Sequence, residues 1–211
     1  MKIIVASNNQ HKIKEIREMM NEFGFEVHSL KDEGIKLEPE ETGATFMENA
    51  AIKARAVYEY IKTAEKKDPA KKDKKSYRDI LVLADDSGLA VDYLGGAPGV
   101  YSARYAGKQA DDAANNAKLL ADLKGVPMEK RTARFVCAMV LVGHKKEIRV
   151  QGETQGYVIE EQKGFQGFGY DPLFFSSDLT KTFAEATALE KNSVSHRGRA
   201  LQELKKELKK L

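Results

Sequence analysis

The chain has 211 residues, 42% of them hydrophobic and 32% charged, with a formal net charge of +3; these are the values of an ordinary globular protein with room for a sizeable core, in one domain or in two lobes sharing a sheet. No apolar run approaches the about 20 residues that cross a bilayer, Met1-Lys2 passes straight into Ile3-Ile4-Val5 with no space for a signal peptide, and the single cysteine, Cys137, excludes an intramolecular disulfide framework, so a cytoplasmic protein is expected. The positive charge is local, because residues 62–79 hold 8 Lys/Arg and 4 Asp/Glu and the remainder is balanced at 27 against 28; with Tyr77 its only aromatic, this stretch reads as a solvated insertion and offers no stacking platform for nucleic acid.

Residues 2–6 read as a first strand and 11–23 as a helix with Ile13, Ile16, Met19, Met20 and Phe23 at helical spacing, joined by the polar turn Ser7-Asn8-Asn9-Gln10-His11-Lys12. A strand near 25–30 and an acidic loop over 31–44 follow. Thr45-x-x-Glu48 has the pattern of a capping box, and Met47, Ala50, Ala51, Ala54, Tyr58 and Ile61 mark the apolar face of the helix it opens. Asn49 and Lys53, four apart, share a different face of that helix. After the lysine-rich insertion comes a strand over 80–84, ending in Asp85-Asp86-Ser87-Gly88 and a glycine-rich loop. A helix over 111–124 stops at Gly125-Val126-Pro127. Residues 133–142 and 147–154 pair as antiparallel strands around 143–146. The turn 164–172 precedes a short apolar run, Leu173–Phe175, and Ala200, Leu201, Leu204, Leu208 and Leu211 lie on one face of a C-terminal helix. Hairpin strands among crossover-length helices predict an α/β fold with a mixed sheet.

Several of these segments carry side chains able to do chemistry. Asp85 and Asp86 stand where open α/β sheets place ligands, and carboxylates completed by water and phosphate oxygens suit Mg²⁺; a turn capped by Asp and Ser reads equally from the stretch alone. Glu40 and Glu41 form a second acidic pair before the capped helix, and Lys53 interrupts that helix's alanines, either reaching a ligand or snorkelling to solvent. Ser7-x-Asn9-x-x-Lys12, at a strand-to-helix turn, suits an anion because free N–H groups point outward there, although the P-loop pattern is missing. The 164–171 turn offers glycines and aromatic rings for a flat base, or core packing under a loop. Lys191, His196 and Arg197 add cations and donors. The histidines are scattered, no zinc spacing or GxSxG elbow occurs, and Cys137 lies in an apolar strand, so nucleophilic Ser or Cys catalysis has no support.

Taken together, SNNQHK, EETGATFMENAAIKA, ADDSGLAVDYLGGAPGVYSARYAG, GFGYDPLFF and SHRGRAL, in this order, resemble the Ham1/RdgB-like inosine triphosphate pyrophosphatases over residues 3 to about 201. The resemblance implies an elongated α/β fold whose mixed sheet spans two lobes around a central active-site cleft, all of 1–211 forming one such domain. It implies hydrolysis of noncanonical purine nucleoside triphosphates (ITP, dITP, XTP) to the monophosphate and pyrophosphate, a Mg²⁺ requirement and a homodimer, with neither membrane nor nucleic-acid partner.

Carried onto this sequence, the resemblance assigns Ser7, Asn8, Asn9, Gln10, His11 and Lys12 to the triphosphate and Lys53 to further charge neutralisation. Asp86 becomes the metal-binding acid and proton acceptor, with Asp85 beside it and Glu40 or Glu41 completing the metal environment. Ser87 contacts phosphate or sugar, Phe168, Gly169, Tyr170 and Asp171 hold the base, and Lys191, His196 and Arg197 read its 6-oxo edge. The first motif departs from the Thr-Gly-Asn of many members, and Asn8 tolerates the positive φ that a glycine would supply. The insertion at 62–79 is longer than in compact members. A Maf-like pyrophosphatase with other substrates, or a nucleotide-binding protein that has lost catalysis, are the competing readings; the intact carboxylates and lysines argue against the latter.

Overall fold

A computed structural model describes residues 2–67, 76–107 and 111–210. Seven strands are hydrogen-bonded in the order β2-β1-β3-β4-β5-β6-β7: β1 Lys2–Val5, β2 Glu26–Ser29, β3 Ile80–Val91, β4 Thr132–Gly143, β5 Lys146–Val158, β6 Phe174–Ser176 and β7 Lys181–Thr182. The helices are α1 Gln10–Glu22, α2 Phe46–Lys67, α3 Asp112–Asp122, α4 Ala188–Val194 and α5 His196–Leu208. β1 pairs parallel with β2 and β3, whereas β5-β6-β7 run antiparallel, so the sheet is mixed as expected.

The described residues fall into two compact units. The first comprises Met1–Asp86, Ala138–Gln151 and Ala200–Leu211. Its core sets Ile4, Ala6, Val82, Ala84, Val140 and Val142 against Ala50, Ala51, Ala54 and Val57 of α2. Alanines on the contact face let a helix lie close to a sheet, which leaves the longer Asn49 and Lys53 within reach of the strand. The capping box holds, because Glu48 N–H donates to Thr45 Oγ1 and Thr45 N–H donates to Glu48 Oε2, both at 3.2 Å. α2 continues to Lys67, so the lysine-rich stretch begins as helix rather than as an insertion; residues 68–75 of it lie outside the described residues.

The second unit comprises Ser87–Cys137 and Gly152–Arg199. Leu89, Val91, Leu119, Leu123, Phe135, Val158, Leu173, Phe174 and Phe183 form its core. Phe135 is the hub: Phe174 packs edge-on at 4.7 Å between ring centroids, and His196 stacks on it at 4.7 Å and 11°.

Two expectations need correction. The strand expected over 80–84 runs for twelve residues, Ile80–Val91, so Asp85 and Asp86 lie inside it rather than at its end. Asp-Ser-Gly resembles turn punctuation, but Gly88 serves a close approach: a Cβ there would lie 2.2 Å from Ser102 Oγ and 2.7 Å from the Gly99 carbonyl oxygen. The hairpin linker is also shorter than 143–146, with only His144 and Lys145 between β4 and β5. Lys145 takes φ 60°, in the left-handed region.

Candidate active site

The first group of side chains belongs to the first unit. Because β3 is extended through 85 and 86, successive side chains leave on opposite faces. Asp85, fully buried, meets Lys12 of α1, with Nζ 3.1 Å from Oδ1. Asp86, 7% exposed, meets Lys53 of α2, with Nζ 3.4 Å from Oδ1, and accepts a 3.2 Å hydrogen bond from Asn49 Nδ2 at its other oxygen. Lys53 also donates to Glu41 Oε1 at 2.6 Å. Glu41 is thus the member of the acidic pair brought to the cluster, while Glu40 is exposed.

Burial pushes the Asp86 carboxyl above the usual carboxylate range; the Lys53 and Lys12 charges pull it back, Glu41 adds to the rise, and the rise prevails. Burial alone would depress Lys53, but Asp86, Asp85 and Glu41 together outweigh that effect and hold its ammonium above the ordinary value. Lys53 is therefore a charged group at neutral pH.

The polar turn before α1 caps that helix. Asn9 caps the helix, its Oδ1 accepting the Lys12 N–H at 3.1 Å, and its own N–H donates to Ser7 Oγ at 3.2 Å. Asn8, Gln10 and His11 are exposed. Free N–H groups and the positive end of the helix dipole face outward at such a terminus. Asn8 also borders an open hollow with Lys31, Ile35, Lys36, Leu37 and Glu38.

The second group belongs to the second unit. Lys191, buried on α4, lies 2.7 Å from Asp171 Oδ2, a carboxylate that is itself buried. Removing one member of such a pair typically costs roughly 3–5 kcal/mol, since the other charge stays buried. Phe168 N–H donates to Asp171 at 2.9 Å, which fixes the turn, and the Phe168 ring lies under Lys191 Nζ at 4.9 Å and the Arg197 guanidinium at 6.0 Å. Arg197, fully buried, donates to Ser87 Oγ at 2.9 Å. His196 stacks on Phe135, as described above. The Tyr170 ring is buried in the core and its hydroxyl donates to the Ser102 carbonyl at 2.9 Å, so of the four residues at 168–171 it is Phe168 whose ring lies beside the cations.

Residues not singled out in the sequence brace this turn. Gly169 N–H donates to Asp112 Oδ2 at 2.7 Å, and its carbonyl accepts from Asn116 Nδ2 at 3.0 Å, so α3 holds both polar groups of one residue. Nothing in the spacing of Asp112 and Asn116 distinguished them from a solvated helix face, since their partner lies over fifty residues away.

The donor set of the first group suits a divalent cation that brings further ligands of its own. Among the described residues, no three His, Cys, Asp or Glu side chains form a site that could hold a metal by itself. Asp86 and Glu41 are hard oxygen donors, and in the first group two lysines face three carboxylates, an excess of one negative charge. A cluster of that sign repels a polyanion unless a cation arrives with it. This fits Mg²⁺, which takes one or two protein carboxylates and completes its shell with substrate phosphates and water.

Among the described residues no helix is long and apolar enough to cross a membrane. The pattern of the Ham1 family matches residues 3–207. A dITP/XTP pyrophosphatase of Clostridium perfringens is 49% identical over 209 residues, covering 99% of this chain and 97% of its own. One of Bacillus subtilis is 48% identical over 204 residues, covering 96% and 94%. The solved structure of the Staphylococcus aureus Ham1 protein superposes with a TM-score of 0.81 at 35% identity, covering 99% of this chain and 98% of that one.

Proposed function

The chain belongs to the Ham1 family, and from that premise we propose that it hydrolyses dITP, ITP and XTP to the monophosphate and pyrophosphate, removing these nucleotides from the cytoplasmic pool. The observation that carries the reading is the pair of adjacent buried carboxylates on β3, each opposed by a lysine from a different helix.

The phosphates are assigned to the first group. Ser7, Asn9 and the N-terminus of α1 receive oxygens, and Lys12 and Lys53 together with Mg²⁺ offset a charge of about four on the triphosphate. Asp86 and Glu41 would hold Mg²⁺, which when bound supplies Lewis-acid polarisation of phosphoryl oxygens. Asp86, with its raised affinity for a proton, orients and accepts the proton of the attacking water. Asp85, tied to Lys12 on the opposite face, holds that lysine in place.

The base is assigned to the second group. Phe168 offers its face, and Lys191, His196 and Arg197 offer donors to a 6-oxo group. A site that donates at this position leaves those donors unpaired against a 6-amino base, so adenine is rejected strongly while hypoxanthine and xanthine are separated little. The enzyme is assigned a homodimeric state, as implied by the family resemblance. The test is turnover of dITP, XTP, dATP and dTTP with Mg²⁺. The reading expects kcat/KM for dITP and XTP to exceed that for dATP by about a hundredfold or more; equal turnover of all four would contradict it.

A further inference from the structure

Asn49 is completely buried, four residues before Lys53 on α2, and has no place in the chemistry described so far. Its Oδ1 accepts the Gly43 N–H at 2.8 Å. A backbone N–H can only donate, so the oxygen of the amide must face Gly43 and the nitrogen must face Asp86. Nδ2 donates to Asp86 Oδ2 at 3.2 Å, while Oδ1 of the same carboxylate faces Lys53 at 3.4 Å. The two oxygens of Asp86 therefore answer to two donors of different kind, one neutral and one charged.

We propose that Asn49 is a positioning residue: it fixes the orientation of the Asp86 carboxylate and ties it to the loop that carries Glu41. This rests on the assignment of Asp86 to the reaction. Lys53 cannot do the same work alone, because it is shared with Glu41 at 2.6 Å and sits on a flexible stem. A buried amide held at both ends has no such freedom, and it orients Asp86 without neutralising it. Charges around Asp86 come from Lys53, Glu41, Lys12 and Asp85; Asn49 is the uncharged contact among them. The loop end is equally constrained. A Cβ at residue 43 would lie 2.7 Å from Asn49 Oδ1 and 2.6 Å from Glu48 Cβ, so glycine is what lets the Gly43 N–H approach the amide. The i, i+4 spacing of Asn49 and Lys53 visible in the sequence is thus the spacing of two groups on one carboxylate.

Three variants test this. Asn49→Ala removes both hydrogen bonds; Asn49→Asp keeps an acceptor for Gly43 but turns the donor facing Asp86 into a second carboxylate. Asn49→Asp combined with Asp86→Asn exchanges the partners and restores one amide-to-carboxylate hydrogen bond. With dITP, Asn49→Ala is expected to lower kcat about tenfold to a hundredfold with KM changed less than about threefold, the mark of a misplaced reacting group rather than lost binding. Asn49→Asp is expected to fall at least as far, although the loop contact survives. In urea denaturation without metal or nucleotide, the double variant is expected to recover stability lost by Asn49→Asp, beyond the sum of the single changes.

Wild-type kcat in folded Asn49→Ala would overturn the proposal, and so would strict additivity in the stability cycle. The cycle also decides the matter if Asn49→Ala does not fold. A wild-type protein releasing no pyrophosphate from any triphosphate would instead overturn the functional reading, while the cycle would still decide for or against the Asn49–Asp86 pair.

Discussion

Asp85 and Asp86 are neighbours in the chain but not in chemistry: one is closed by Lys12 from α1, the other by Lys53 and Asn49 from α2. Extended backbone makes this division unavoidable, since adjacent strand residues cannot share a face. Under the proposed function, the first carboxylate positions phosphate through its lysine and the second takes the proton.

Replacing Asp86 by Asn is expected to cost turnover without costing stability. Burial raises the folded-state pKa of Asp86, so the ionised form is the disfavoured one: stability associated with this group is present at low pH and is lost as pH rises from the unfolded value through the folded one. At neutral pH an amide of the same shape escapes that loss, and Asp85 and Glu41 remain to hold the Lys53 charge. The expected result is a fall in kcat of about a hundredfold or more with a melting temperature equal to or above wild type. A lower melting temperature with unchanged kcat would refute both halves.

The brace on Gly169 gives a contrasting outcome. Asp112 and Asn116 hold the turn that presents Phe168 through their hydrogen bonds to Gly169. Asp112→Ala and Asn116→Ala are each expected to raise KM for dITP by about three- to tenfold while kcat stays within about twofold. Steady-state kinetics separates this from the reverse pattern, which would place the brace elsewhere in the reaction.

Acid stability depends in part on the cap of α4, the helix that carries Lys191. The Glu190 carboxylate is lowered from 4.5 to about 2, first by Lys181 and then by the Thr187 N–H and hydroxyl. A depressed folded-state value means that its stabilisation is present above 4.5 and is lost as pH falls toward 2. Glu190→Gln is expected to flatten the decline of the urea midpoint across that window, and an unchanged slope would contradict it. Glu185 and Asp32 are lowered as well, so the decline is reduced rather than abolished.

Much of this was legible in the sequence where the governing interactions are local. The capping box at Thr45 and Glu48, the helical spacing of Ile13 and Ile16, and the polar turn before α1 all depend on residues within one helical turn. Most of what escaped depends on distant partners. The strand past Asp86 was hidden because Gly88 looks like a turn residue until the backbone at Gly99 is seen beside it. Glu41 and Glu40 are equivalent on paper, and only the fold brings one of them to Lys53. The brace of Asp112 and Asn116 had no local signal at all. α4 was missed despite one, since Thr187-x-x-Glu190 repeats the pattern recognised at Thr45.

Cleavage between the α- and β-phosphates is decided by the identity of the first product from dITP and Mg²⁺ in a single turnover. The expected result is pyrophosphate and dIMP in equal amounts, with no dIDP at any time. Orthophosphate and dIDP as first products would contradict it.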